Sequence, residues 1–150
     1  MVDYVLGFAF DEEKQNVLLI KKTKPDWQKG FFNGIGGKIE AGETSLEAMI
    51  REFKEECDIN TDVNDWRTYG TLQCKGFSIV CYKAFINLDR LKEHKTMTEE
   101  MVIMFGVDVI RESSNNSIPL ISNVRWLIEA ALDDNDGHGF DITAQYESNQ

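Results

Sequence analysis

Glu52, Glu55 and Glu56 stand at i, i+3 and i+4 in the run REFKEEC. At about 100° per residue a helix gathers them on an arc of about 100°. Three carboxylates this close repel one another, more strongly where burial raises the cost of charge, and a cation relieves that repulsion. A hard divalent ion such as Mg²⁺ takes oxygen ligands and keeps positions open for water and substrate phosphates, so the triplet could hold a metal for phosphoryl chemistry. Mn²⁺ could take the same place. Acidic helix faces are also common as plain solvated surface, and the triplet alone does not separate the two readings.

The element that must carry these acids is a helix from about Thr44 to Cys57. On it Leu46, Ile50, Phe53 and Cys57 fall within about 60° of one another, an apolar stripe able to pack on a sheet, with the glutamates beside it. Ahead of the helix, Phe31 to Lys38 contains Gly34, Gly36 and Gly37 and reads as a loop whose backbone can approach a ligand. A peptide carbonyl there could complete a metal shell. The run is not a P-loop, since Gly37-Lys38 is followed by Ile39.

Gly37, five residues, Glu43, seven residues, then Arg51-Glu52-Phe53-Lys54-Glu55-Glu56 and Ile59 closely resembles the Nudix box, G-x5-E-x7-R-E-u-x-E-E-x-G-u with u apolar. The single departure is Asp58 in place of Gly, at a helix end where a left-handed residue is common and Asp is tolerated at some cost. The resemblance implies an α/β/α sandwich with a mixed sheet, a single Nudix hydrolase domain over residues 1–150, and Mg²⁺-dependent hydrolysis of a pyrophosphate bond in a nucleoside diphosphate linked to another group. It implies metal ligation by Glu52, Glu55, Glu56 and a backbone oxygen at Gly37, and a Glu43–Arg51 salt bridge bracing loop against helix. It implies a further catalytic carboxylate outside the box, Glu99 or Glu100, with Glu99 slightly ahead by its distance from Phe105-Gly106, and Glu52 itself as the other group that could take the proton. Strand alternation points Glu99 and Glu100 in opposite directions, so one of them enters the cleft. Asn33-Gly34 with Gly36-Gly37 resembles members that hydrolyse oxidised purine nucleoside triphosphates, which makes Asn33 and Lys38 candidate substrate contacts. Arg125 and Trp126, near the start of the last helix, could stack on a purine; an ordinary rim tryptophan is the competing reading.

Composition bounds the rest. One domain suits 150 residues, and 42% hydrophobic with 28% charged residues reads as soluble and globular. No apolar run is long enough to cross a bilayer, and the N-terminus lacks the features of a secretory signal, so the expectation is a cytoplasmic protein, monomer or homodimer, with no membrane partner. Cys57, Cys74 and Cys81 are odd in number and lack metal-site spacing, so they read as reduced thiols. A net charge of −10 disfavours a broad grip on long nucleic acid; a nucleotide as partner is what the resemblance implies.

Along the chain, Tyr4 to Phe10 and Val17 to Lys21 read as a hairpin near the middle of a sheet, and Trp66 to Leu72 with Phe77 to Ile86 as a second, turning at Lys75-Gly76. Lys21, Lys22, Lys24 and Lys29 cluster as a loop that could meet substrate phosphates or simply be solvated. A short helical turn is expected within Asn87 to Lys95, a strand over Val102 to Val109, and a helix from Ser122 or Asn123 to Leu132 packing through Val124, Leu127, Ile128 and Ala131. The tail has turns at Asp136-Gly137, a mobile His138, and an alternating Phe140, Ile142, Ala144, Tyr146 edge strand.

A chemically different class, a non-catalytic nucleotide-binding module, would be expected to lose box glutamates, which this chain retains. ADP-ribose, a dinucleoside polyphosphate, a dinucleotide coenzyme or a capped RNA end stays open beside the triphosphate.

Overall fold

A computed structural model describes residues 2–133 and 139–143. The expected features at Asp136-Gly137, His138, Ala144 and Tyr146 lie outside the described residues. Among those described, β1 (Val2–Asp11) runs parallel to β6 (Phe77–Ile86) from Val2↔Phe77 to Asp11↔Ile86. β2 (Asn16–Lys21) returns antiparallel to β1, and β5 (Trp66–Cys74) pairs antiparallel with β6. With β3 (Phe32–Asn33), β4 (Ile35–Lys38), β7 (Val102–Gly106) and β8 (Phe140–Thr143) they form one mixed sheet. Its order is β3-β2-β1-β6-β5-β8, with β4 on β1 and β7 on β2. Both expected hairpins are present, and β1 and β2 are interior strands.

Helices cover both faces. On one side α1 (Ser45–Cys57) packs over Val5, Ala9, Leu18 and Ile20. On the other, α3 (Val107–Glu112) and α4 (Val124–Leu132) contribute to a core with Leu6, Phe8, Phe10, Val17 and Leu19. Successive residues of β1 and β2 thus go to opposite layers, which is why both strands are apolar without interruption. The four-residue α2 (Leu88–Leu91) buries Leu91 in the α1 layer.

Three expectations are corrected. The glycine run is not a loop: Ile35–Lys38 is β4, paired with Gly7 back to Tyr4 of β1. A Cβ on Gly36 would overlap the carbonyl of Val5, so the close passage of these two backbones requires glycine. The strand expected to reach Val109 ends at Gly106, where the Val107 amide donates to the Gln15 carbonyl and α3 begins. Finally, the wholly buried residues of α1 are Ala48, Met49, Phe53 and Cys57, while Leu46 and Ile50 are half-buried. Met49 lies over side-chain-free Gly7, turning the helix so that its buried sector spans about 180° and includes the angular positions of Glu52 and Glu56.

Candidate active site

The acids are carried by a helix whose ends are well defined. Thr44 accepts from the Glu47 amide at 3.1 Å and Glu47 accepts from the Thr44 amide at 3.1 Å, a reciprocal N-terminal cap. At the other end Asp58 adopts the left-handed conformation at φ 59°, its amide donating to the Lys54 carbonyl and its carboxylate accepting from Lys54 at 2.8 Å. Asp58 thus fills a glycine position and gains an ion pair there.

Arg51 organises the loop ahead of the helix. Its Nη2 donates to Glu43 Oε1 at 2.6 Å and to the Lys38 carbonyl at 3.0 Å, while Nε donates to Glu43 Oε2 at 3.0 Å. Nη1 reaches Glu52 Oε1 at 2.8 Å and Glu55 Oε2 at 3.2 Å. These donors hold the Glu43 carboxyl down to about 2, the guanidinium bonds being the largest cause and the Glu40 amide adding to them.

Glu52 and Glu56 are half-buried and coupled; Glu55 is exposed. Burial, reinforced by the charge of Glu52, pushes Glu56 up to about 8. Burial also raises Glu52, against the opposing pull of Arg51. Oε2 of Glu56 is buried with no hydrogen-bond partner among the described residues. A Cβ on Gly37 would overlap the Glu52 carboxylate, so glycine is what lets that acid lie against β4.

These donors fit a hard divalent cation by their chemistry: two partly desolvated carboxyls, an orphaned oxygen, and a third acid at the rim. As the side chains stand, Glu52 and Glu55 turn toward Arg51, and no three carboxylates of the described residues close on a common point. Ligation would therefore require rotation of Glu55 away from Arg51.

The two acids ahead of β7 are clearly distinguished. Glu99 is exposed, whereas Glu100 is buried, its Oε1 accepting from Lys22 Nζ at 2.9 Å and its Oε2 from the Thr23 amide at 2.7 Å. Burial pushes Glu100 up, but the Thr23 amide and the Lys22 ammonium outweigh it and leave the carboxyl below its ordinary value. Glu56 is near enough to feel the charges of both Lys22 and Glu100. Of the two candidates it is Glu100 that is buried, a placement that distance along the chain from Phe105 could not reveal.

Asn33 is half-buried on β3, its Oδ1 accepting from the Gly34 amide at 2.8 Å, and Lys38 ends β4 with its side chain exposed. Trp126 is not brought to the acids. It lies on the α4 side of the sheet, edge-on to Phe140 with centroids 4.8 Å apart, in a cavity of about 780 Å³ shared with Tyr69 and Lys83. Arg125 instead holds the α3–α4 connection, donating to the Ile110 carbonyl at 2.6 Å. Lys22 is the residue whose place was missed: composition grouped it with the loop lysines, and only the pairing of β2 with β7 separates it from them.

A family model described as NUDIX domain matches residues 2–143. A 44-residue stretch is 50% identical to an ADP-ribose pyrophosphatase of Methanocaldococcus jannaschii, covering 29% of this chain and 26% of that protein. A 61-residue stretch is 38% identical to the 8-oxo-dGDP phosphatase NUDT18 of Homo sapiens, covering 41% of this chain and 19% of that protein. The match thus spans about a quarter or less of either curated relative. In three dimensions the chain is similar to a MutT protein of Bacillus halodurans, with TM-score 0.70, 20% identity, and coverage of 99% of this chain and 92% of that one. The likeness in fold is therefore nearly end to end.

Proposed function

The chain belongs to the Nudix family, and from that premise we propose that it hydrolyses a pyrophosphate bond in a nucleoside diphosphate joined to a further group, with a nucleoside triphosphate as first choice. One observation carries the reading: Glu52 and Glu56 are held half-buried on α1, with burial and the charge of Glu52 pushing Glu56 up to about 8 and an oxygen of Glu56 left without a partner among the described residues. That arrangement costs stability unless a cation joins it.

Glu52, Glu55, Glu56 and a backbone oxygen at Gly37 would hold Mg²⁺ or Mn²⁺. When bound, such an ion neutralises charge developing on phosphoryl oxygens and acidifies a coordinated water. Arg51 sets the angle of the helix against β4 through Glu43 and the Lys38 carbonyl, so the carboxylates meet the substrate from a fixed platform. Glu100, kept ionised by Lys22 and the Thr23 amide, accepts the proton of the attacking water on a carboxylate oxygen. The water oxygen forms the new bond to phosphorus while the bridging P–O bond breaks, and the departing phosphate leaves with the bridging oxygen. Asn33 and Lys38 border the same end of the sheet and are the residues offered to the nucleotide.

The oxidised-purine preference is supported by the Asn33-Gly34 and Gly36-Gly37 pattern, and by a relative named for action on 8-oxo-dGDP. ADP-ribose is the second reading, favoured by the relative named ADP-ribose pyrophosphatase. Incubation of the purified protein with Mg²⁺ and a nucleotide panel, products identified by mass, separates them. Pyrophosphate released from a triphosphate supports the first, and AMP with ribose phosphate supports the second. Failure to cleave any member of the panel contradicts both.

A further inference from the structure

Lys22 and Glu100 lie at the extrapolated register of two paired strands. β2 and β7 pair antiparallel as Asn16↔Gly106, Val17↔Phe105, Leu18↔Met104, Leu19↔Ile103 and Ile20↔Val102, and the Lys21 amide continues the ladder onto the Met101 carbonyl. One step further sets Lys22 opposite Glu100. Alternation puts both on the face of Leu18, Ile20, Val102 and Met104, the layer covered by α1. Glu99, one residue earlier, is exposed.

The contacts match this register. The Lys22 and Glu100 side chains retain only 20% and 10% of their exposure, with Nζ and Oε1 2.9 Å apart. Thr23 adds its amide at 2.7 Å and its hydroxyl at 3.4 Å to Oε2. Both carboxylate oxygens are therefore held from one two-residue segment, and that segment opens the loop bearing exposed Lys24, Trp27 and Lys29. Lys22 is set apart from these neighbours: its ammonium is spent inside the fold.

We infer that Lys22 is a positioning residue, which fixes the Glu100 carboxylate toward the α1 acids instead of gripping substrate phosphate. The inference rests on the functional reading above for the part Glu100 plays, but the contact itself is testable without substrate or metal. The Thr23 amide reports the carboxylate's pose directly, since its acceptor is Glu100 Oε2.

Amide exchange followed by NMR on metal-free protein is the first arm. Lys22→Met should speed exchange at Thr23 by at least about tenfold, the scale expected for a hydrogen bond to a charged group, leaving Ala9 in the core unchanged. Lys22→Arg should keep Thr23 within about threefold of wild type, because the charge and a donor remain. If Lys22→Met loses protection at Ala9 as well, Lys22→Gln replaces it in the same comparison. The second arm is kinetic. Lys22→Met should lower kcat by at least about tenfold with KM moved less than about threefold, and in a Glu100→Gln background it should cost less than about twofold more. Unchanged exchange at Thr23, a raised KM with kcat retained, or full additivity with Glu100→Gln would each overturn the inference. If no nucleotide is cleaved, the functional reading falls while the exchange arm still decides the role of Lys22.

Discussion

Arg51 and Glu43 close a two-pronged ion pair, Nη2 to Oε1 at 2.6 Å and Nε to Oε2 at 3.0 Å, between the turn after β4 and the middle of α1. The same guanidinium donates to the Lys38 carbonyl, so one side chain ties strand, turn and helix together. A lysine cannot reproduce this fork. Arg51→Lys should lower the thermal midpoint by a few degrees and reduce kcat roughly tenfold to a hundredfold, as loss of an orienting partner does at metal sites. Calorimetry and steady-state kinetics on the same preparation check both, and unchanged values would remove the brace from the account.

Burial drives the next expectation. Glu56 titrates at about 8 in the folded chain against an ordinary value of 4.5, chiefly through desolvation and then through the charge of Glu52. Below the ordinary value both folded and unfolded chains carry the proton. Between it and about 8 the unfolded chain releases a proton that the folded chain keeps, so stability falls as pH rises through that window and then levels. In chelator-treated protein the unfolding midpoint should drop between about pH 5 and pH 8. Glu56→Gln should flatten that drop, and Mg²⁺ should stabilise wild type more at pH 8 than at pH 5.

Gly37 supplies a steric test. A methyl group there would overlap the Glu52 carboxylate and push it off β4. Gly37→Ala should weaken Mn²⁺ binding by at least about tenfold, read by calorimetry, with the circular dichroism spectrum retained. Wild-type affinity in this variant would show that Glu52 does not ligate from its observed place.

Much of this was legible in the sequence because the decisive signals are local. The spacing of Glu52, Glu55 and Glu56, the helix from about Thr44 to Cys57 and the two hairpins each depend on residues within a few turns of one another, and all appear in the fold. What escaped depends on pairing across the chain. β4 is a strand because β1 lies beside it, not because Ile35-Gly36-Gly37-Lys38 favours extension. Glu100 is held in the fold by a partner on the segment after β2, nearly eighty residues away, while Glu99 is exposed. Trp126 was correctly off the packing stripe of α4, but the helix angle that decides which cavity it lines comes from contacts no periodicity encodes.

In the mechanism proposed above, the acids of α1 work by holding a divalent ion. The most direct measurement follows nucleotide cleavage in wild type and in Glu56→Gln as Mg²⁺ is removed by chelation and then restored. Cleavage by wild type should stop on chelation and return with Mg²⁺, while Glu56→Gln should remain at least about a hundredfold slower at saturating Mg²⁺, since metal electrostatics supply several kcal/mol. Cleavage that persists in chelator, or that Glu56→Gln leaves at the wild-type rate, would contradict it.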